Sequence, residues 1–574
     1  MMSGTAGSSK AGAGPEVRDA PGATPVDWEN DQGRARLGQA GACLYNLRVN
    51  AGKGARDAAW SGSLSFDGFG LHRRTGAWPH AASADPVTPA RIAAALPKLE
   101  ALAQAAVADG AVPGLAIGVV HDDKVIFLKG FGHREAGRPE PVDADTVFQI
   151  ASLSKPISAT VVAALVSDGV VSWDSKIADL DPAFRLADPY PTGELTIRDL
   201  FTHRSGLPGT AGDDLEGIGY DRAEILRRLR FVSPSSSFRA GYSYSNFGLT
   251  EGAVAAAKPT GKPWETVAEE KLYRPLGMAA TSSRHADFVS RANRAALHVK
   301  IDGVWAAKVK RNVDPQAPAG GVNSSARDLM QWMRLVLGDG VYAGRTLIAS
   351  DALRQTHLPQ MALGRNPVTG GESFYGLGWN IDFGRHGLSW GHAGAFSVGA
   401  RTVATLFPQE KLGIVILTNA FPTGVPEGLS DSFADLVFDG KVEKDWVEAW
   451  DGIYAGMLGP AIAAAKAEYA APPSPPRPAR PASAYSGRYG NDFIGGVTVS
   501  SAGDGLVLEV GPAGARSYSL THFDADLFLT HPDAETPDRP AGVSFVVGPD
   551  GKASAMTIEF LDDNHLGRLQ RVGD

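Results

Sequence analysis

At 574 residues the chain is too long for one ordinary hydrophobic core, so two or more domains are expected. Its 43% hydrophobic and 21% charged residues suit a globular protein, and a net charge of −8 argues against nucleic-acid phosphates as partner and gives no reason to expect an acidic membrane surface. The single cysteine, Cys43, excludes an intrachain disulfide without fixing a compartment, and no apolar run is long enough for a transmembrane helix.

Residues 1–85 are rich in Gly, Ala, Ser and Arg, lack periodicity, and are expected to be a disordered extension. No basic start followed by an apolar core marks a secretory leader. Ala82-Ser83-Ala84 nevertheless has the small-x-small form of a leader cleavage site, so a second reading is a misread or truncated leader of an exported enzyme. Localisation stays open on this point: cytoplasmic as written, periplasmic or secreted under the second reading.

The texture changes near Pro86. Ala90 to Gly110 reads as an amphipathic helix, with Pro97 expected to kink or break it. Gly114–Val120 and Lys124–Gly130 are apolar runs around His121-Asp122-Asp123, a hairpin signal. Ser152 to Asp168 reads as a helix stopped by Gly169. Further helical patterns cover Ile197–Thr202, Phe247–Ala257 and Ala326–Leu337, and Ala400–Phe407 and Leu412–Thr418 are strand-like. These elements predict an α+β domain over 86–440. A helical connector and a Pro-rich, stiff linker fill 441–484. Short strands separated by Gly and Asp turns then predict a small all-β barrel or sandwich over 485–574: Val497–Val499, Leu506–Val510, Ser517–Leu520, Leu527–Leu529, Val543–Val547 and Met556–Phe560.

Three polar clusters carry chemistry. Ser152-Leu153-Ser154-Lys155 is an S-x-x-K element at a helix start, where positions i and i+3 share a face and the lysine can approach the hydroxyl. A serine needs a base to become a nucleophile, and a buried lysine can serve. Tyr244-Ser245-Asn246 offers a phenol for proton relay and an amide for a substrate. Trp390-Gly391-His392-Ala393-Gly394 precedes a strand-like run; Gly394 would admit a close substrate backbone, and the N–H groups of Ala395 and Ser152 would form an oxyanion hole. Each cluster alone is weak: S-x-x-K arises by chance, Y-x-N is commonly a turn, and a histidine beside glycines is commonly structural.

Together and in this order, S-x-x-K, Y-x-N and H-x-G resemble the serine β-lactamase/penicillin-binding-protein superfamily, in particular its class C-like branch of D-aminopeptidases, D-Ala-D-Ala carboxypeptidases and β-lactamase-fold esterases. Val112–Ala116, Asp145–Ile150, Thr202–Pro208, Tyr273–Met278, Pro318–Val322 and Tyr375–Trp379 stand where that branch has similar segments. The resemblance implies a β-lactamase/transpeptidase-like fold, an antiparallel sheet flanked by helices plus a helical subdomain. It implies Ser152 as acylated nucleophile, Lys155 and Tyr244 as sharers of acid and base work, and Asn246, His392, Gly394 and Ala395 at the substrate. His392 replaces the lysine of K-T-G, which weakens anchoring of a β-lactam carboxylate and suits peptidase or esterase members. His203 is expected to be structural. The segment after Tyr485 resembles the lipocalin-like domain appended to some peptidases of the branch, a module that walls the active site or joins subunits, so homo-oligomerisation stands open.

The sequence has no H-E-x-x-H, paired C-x-x-C or phosphate loop, so no metal and no organic cofactor are expected. The expected partner is a small-molecule or peptide substrate. The leading function is a peptidase for small or D-residue-containing peptides; a linearised cyclic peptide would suit the scheme. A carboxylesterase and a non-catalytic peptidoglycan- or peptide-binding protein are the other readings.

Overall fold

The computed structural model describes residues 87–503, 505–532 and 540–573; the expectations for residues 1–85 lie outside them. Helix α1 (Pro89–Ala108) starts at Thr88, whose hydroxyl accepts from Arg91 N–H, with Pro89 at its first position. It runs through Pro97 without a break. Pro97 and Ala93 lie on the solvent face, so the carbonyl that loses its partner turns to water, which removes much of the expected penalty. Strands β1 (Gly114–His121) and β2 (Lys124–Gly132) form the expected hairpin, with Asp122 and Asp123 at positive φ.

Six later strands complete a sheet with these two: β3 (Met361–Arg365), β4 (Glu372–Tyr375), β5 (Asn380–Gly384), β6 (Gly387–Phe396), β7 (Ala400–Phe407) and β8 (Leu412–Thr418). The order is β2-β1-β8-β7-β6-β5-β4-β3, and every pairing in it is antiparallel. The continuous apolar runs of β1 and β8 follow from burial on both faces. Leu115, Ile117, Val119, Ile414 and Ile416 pack toward α1 and the helix Val425–Phe438. Ala116, Val120, Val415 and Leu417 belong to a larger core with helices α2 (Ser154–Ser167) and Ala326–Leu337. The fold of this region is the β-lactamase/transpeptidase type.

A long helix, Trp446–Glu468, leads into the Pro-rich stretch. That stretch does not stand clear of the domains: Arg477 ion-pairs with Asp524, and its carbonyl accepts from Ala525 N–H. Beyond it, among the described residues, eight strands close a barrel, as expected for a lipocalin-like module. The six strand signals all fall in it, although the segment after Ile558 is a short turn rather than strand. The two strands without a signal, Gly487–Asn491 and Arg568–Gly573, pair with each other and seal the barrel. Their glycines and arginines mask the alternation that marks a strand. Barrel and helical subdomain share one core. Tyr220 donates to Ile494 C=O at 2.9 Å, the Arg228 guanidinium donates to Phe493 C=O, and Ile218, Phe493 and Ile494 pack in one cluster.

Candidate active site

The nucleophile candidate does not sit in the helix that its motif predicts. Ala151–Leu153 forms a single 3₁₀ turn, and α2 begins only at Ser154. Ala151 adopts φ +49°, a sparsely populated conformation for a residue with a side chain. The turn is held from several sides. Thr402 Oγ1 donates to Ile150 C=O at 2.8 Å, Ile150 N–H donates to Val322 C=O, and Ser154 Oγ bridges Ala151 C=O and Val322 N–H.

Lys155, in the first turn of α2, is fully buried. Its Nζ donates to Ser152 Oγ at 3.1 Å, Asn246 Oδ1 at 2.8 Å and Ala319 C=O at 2.9 Å. These three oxygens hold the Lys155 amine beside the serine hydroxyl. Nζ also lies 4.4 Å from the ring centroid of Tyr244. Ser152, Lys155, Tyr244 and Asn246 are therefore one buried cluster.

Asn246 opens the helix Asn246–Ala257, where the Ser245 hydroxyl caps Gly248 N–H. Its amide is engaged on both sides, accepting from Lys155 and donating through Nδ2 to Asp213 at 3.3 Å. His203 holds the preceding backbone. Its Nδ1 accepts from Ser245 N–H at 3.1 Å and its carbonyl accepts from Ser243 N–H. The ring proton therefore belongs on Nε2. The imidazole packs 4.6 Å from the Tyr244 ring, and burial followed by the nearby Lys155 keeps its pKa well below the usual range. This is the structural role expected of it.

His392 is buried rather than open to solvent. Its Nδ1 faces Ala393 C=O and its Nε2 accepts from Tyr375 Oη at 3.0 Å. Burial, then Lys155, lowers its pKa to about 3, so it is a neutral imidazole at working pH. The fold itself also demands glycine at 394. A Cβ there would collide with Ile150 C=O, Thr402 Oγ1 and Leu153 N. The glycine lets β6 lie against the serine turn itself.

The sheet register fixes where the Ala395 amide points. Gly376 N–H donates to Trp379 C=O at 2.8 Å, so Trp379, Ile381 and Phe383 bond toward β4 and Asn380, Asp382 and Gly384 toward β6. Their partners on β6 are Gly391, Ser389 and Gly387. The amides of Ala393 and Ala395 leave the same edge, past the last pairing with β5, alongside the serine turn.

Sequence reasoning did not find Ala319, Asp213 or Tyr375 as members of the site. Ala319 and Tyr375 stand in segments that resemble the superfamily, but neither a backbone carbonyl nor a second-layer phenol leaves its own mark in a sequence. A separate acidic group, Asp435 and Asp439 near His386, is ion-paired with Arg385.

A family model described as Beta-lactamase matches residues 99–437. The chain belongs to the beta-lactamase family. A second model, a domain of unknown function (DUF3471), matches residues 471–571 and so covers the barrel. Among curated proteins, the chain is 25% identical over 518 residues to an "Unguisins hydrolase ungD" of Aspergillus violaceofuscus, covering 80% of this chain and 87% of that protein. It is 27% identical to the D-alanyl-D-alanine-carboxypeptidase/endopeptidase AmpH of Escherichia coli K12, covering 56% of this chain and 84% of AmpH. Esterase EstB of Burkholderia gladioli is 29% identical, covering 62% of this chain and 99% of EstB. A solved octameric penicillin-binding protein homologue from Pyrococcus abyssi shares the fold at TM-score 0.50 and 19% identity, covering 83% of this chain and 99% of that one. The chain is a serine hydrolase of the β-lactamase fold. No helix among the described residues is long and apolar enough to cross a membrane.

Proposed function

We propose that the chain is a peptidase that cleaves small or D-residue-containing peptides, linearised cyclic peptides among them, through an acyl ester on Ser152. The observation that carries this reading is the 3.1 Å contact of Lys155 Nζ with Ser152 Oγ inside a buried cluster. Ser152 Oγ attacks the scissile carbonyl, and its proton passes to the Lys155–Tyr244 pair. The carbonyl oxygen, now anionic, is received by the N–H groups of Ser152 and Ala395, a role supported by the register of β6. Collapse breaks the C–N bond, and the leaving amine takes the proton from the pair. Water then attacks the ester, gives its proton to the same pair, and Ser152 recovers its hydrogen. Asn246, His392 and Gly394 border the acyl group.

The neutral His392 supplies no cation for a substrate carboxylate, which disfavours β-lactams as substrates. AmpH and the unguisins hydrolase support the peptidase side, whereas EstB supports a carboxylesterase with the same acyl-enzyme. A purely binding role is disfavoured by the intact Ser152, Lys155 and Tyr244 cluster. A panel of D- and L-aminoacyl amides, mixed peptides and p-nitrophenyl esters tests the reading. Turnover of D-residue amides is expected; turnover of esters alone would move the function to esterase.

A further inference from the structure

We propose that Asp213 is a positioning residue that holds the Asn246 amide in the one orientation that serves Lys155. Asp213 begins the short helix Asp213–Gly217, directly after Gly212, whose φ of +90° turns the chain inward. The Asp213 side chain is buried. Asn246 Nδ2 lies 3.3 Å from Asp213 Oδ2 and 3.5 Å from Oδ1, while Oδ1 of the same amide accepts from Lys155 Nζ at 2.8 Å. A flipped amide would set N–H groups against the N–H that Lys155 donates and an oxygen against the carboxylate. Both contacts would become repulsive, so the carboxylate selects the orientation. Asp213 has no hydrogen bond to Ser152 or Lys155 and acts through Asn246.

The groups facing Asp213 set its response to pH. Glu216 from the same helix, Asp214 beside it, Arg311 and Lys155 are the charges around it. Burial, then Glu216, pushes its pKa up to about 7. Below that pH the carboxyl gains a proton and its hold on the amide weakens. An acid limb in the activity profile follows.

The proposal rests on the Ser152–Lys155 reading above, and Ser152→Ala is the control for that reading. The test measures kcat and KM from pH 5 to 9 for the full chain, Asp213→Asn, Asn246→Ala and the double variant, with thermal melts confirming the fold. Asp213→Asn is expected to lower kcat roughly 10-fold at pH 8, with KM moved less than about threefold, and to abolish the acid limb near pH 7. On the Asn246→Ala background the same substitution is expected to change kcat less than about twofold. Wild-type kcat and an unchanged limb in Asp213→Asn, or additive losses in the double variant, overturn the proposal. Should Asp213→Asn not fold, Asn246→Ala alone decides, because the limb must vanish there with Asp213 intact; a retained limb overturns the proposal. Turnover surviving in Ser152→Ala would instead overturn the underlying reading.

Discussion

Lys155 Nζ meets Ser152 Oγ at 3.1 Å across a change of helix type, with the serine in a 3₁₀ turn and the lysine in the first turn of α2. The S-x-x-K spacing still works because the 3₁₀ turn runs directly into α2, which leaves Ser152 and Lys155, three residues apart, on one side of the chain. Lys155→Met keeps the length of the side chain but removes all three donated hydrogen bonds. Catalysis is expected to fall by roughly 10³-fold or more, with little change in KM. Steady-state kinetics on the best substrate of the panel measures this.

Gly394→Ala tests the packing of β6 on the serine turn. The new methyl group must displace Ile150 C=O or the Thr402 hydroxyl, which themselves hold the turn. A loss of about 1–3 kcal/mol in stability is expected together with a fall in kcat. Ala393→Ser, one residue away, is the comparison and should retain more activity. Thermal melts and kinetics on both variants check it.

The clusters that contain Ser152, Tyr244 and His392 stood out only in combination, because each alone is weak and it is their order along the chain that resembles the superfamily. The antiparallel sheet was legible where alternation or continuous apolar runs survive, as in β1 and β8. Asp213 was not legible: no motif or spacing singles it out, and only the fold brings it to Asn246. The strands Gly487–Asn491 and Arg568–Gly573 were hidden for a related reason. Their pairing is long-range, and their glycines and arginines carry no periodic signal. The helix through Pro97 shows the opposite error, since solvent satisfies the carbonyl that a local rule counts as lost.

The barrel interface is expected to bear on stability. Arg228 donates to Phe493 C=O, pairs with Glu224 and lies 4.3 Å from the Tyr220 ring centroid. Arg228→Ala leaves a buried carbonyl without its donor and is expected to cost about 1–3 kcal/mol. Urea titration of the full chain measures it.

Glu251 gives a pH dependence of defined sign. Its side chain is fully buried in the helix Asn246–Ala257, neither carboxyl oxygen has a hydrogen-bond partner, and burial, then Asp181, raises its pKa well above the usual 4.5. The folded state therefore keeps a proton that the unfolded chain has lost, and stability falls as pH rises above that ordinary value. Glu251→Gln removes this cost. Its melting temperature is expected to match wild type near pH 4 and to exceed it increasingly toward pH 8. An offset that is the same at both pH values would contradict the buried, protonated carboxyl.

The acyl-enzyme itself is open to direct capture. Wild-type protein and Ser152→Ala are each treated with a fluorophosphonate probe, digested and mapped by mass spectrometry. Covalent labelling is expected on the peptide that holds Ser152, with turnover lost in parallel and no label in Ser152→Ala; label on another residue, or turnover that survives the substitution, would contradict Ser152 as the nucleophile.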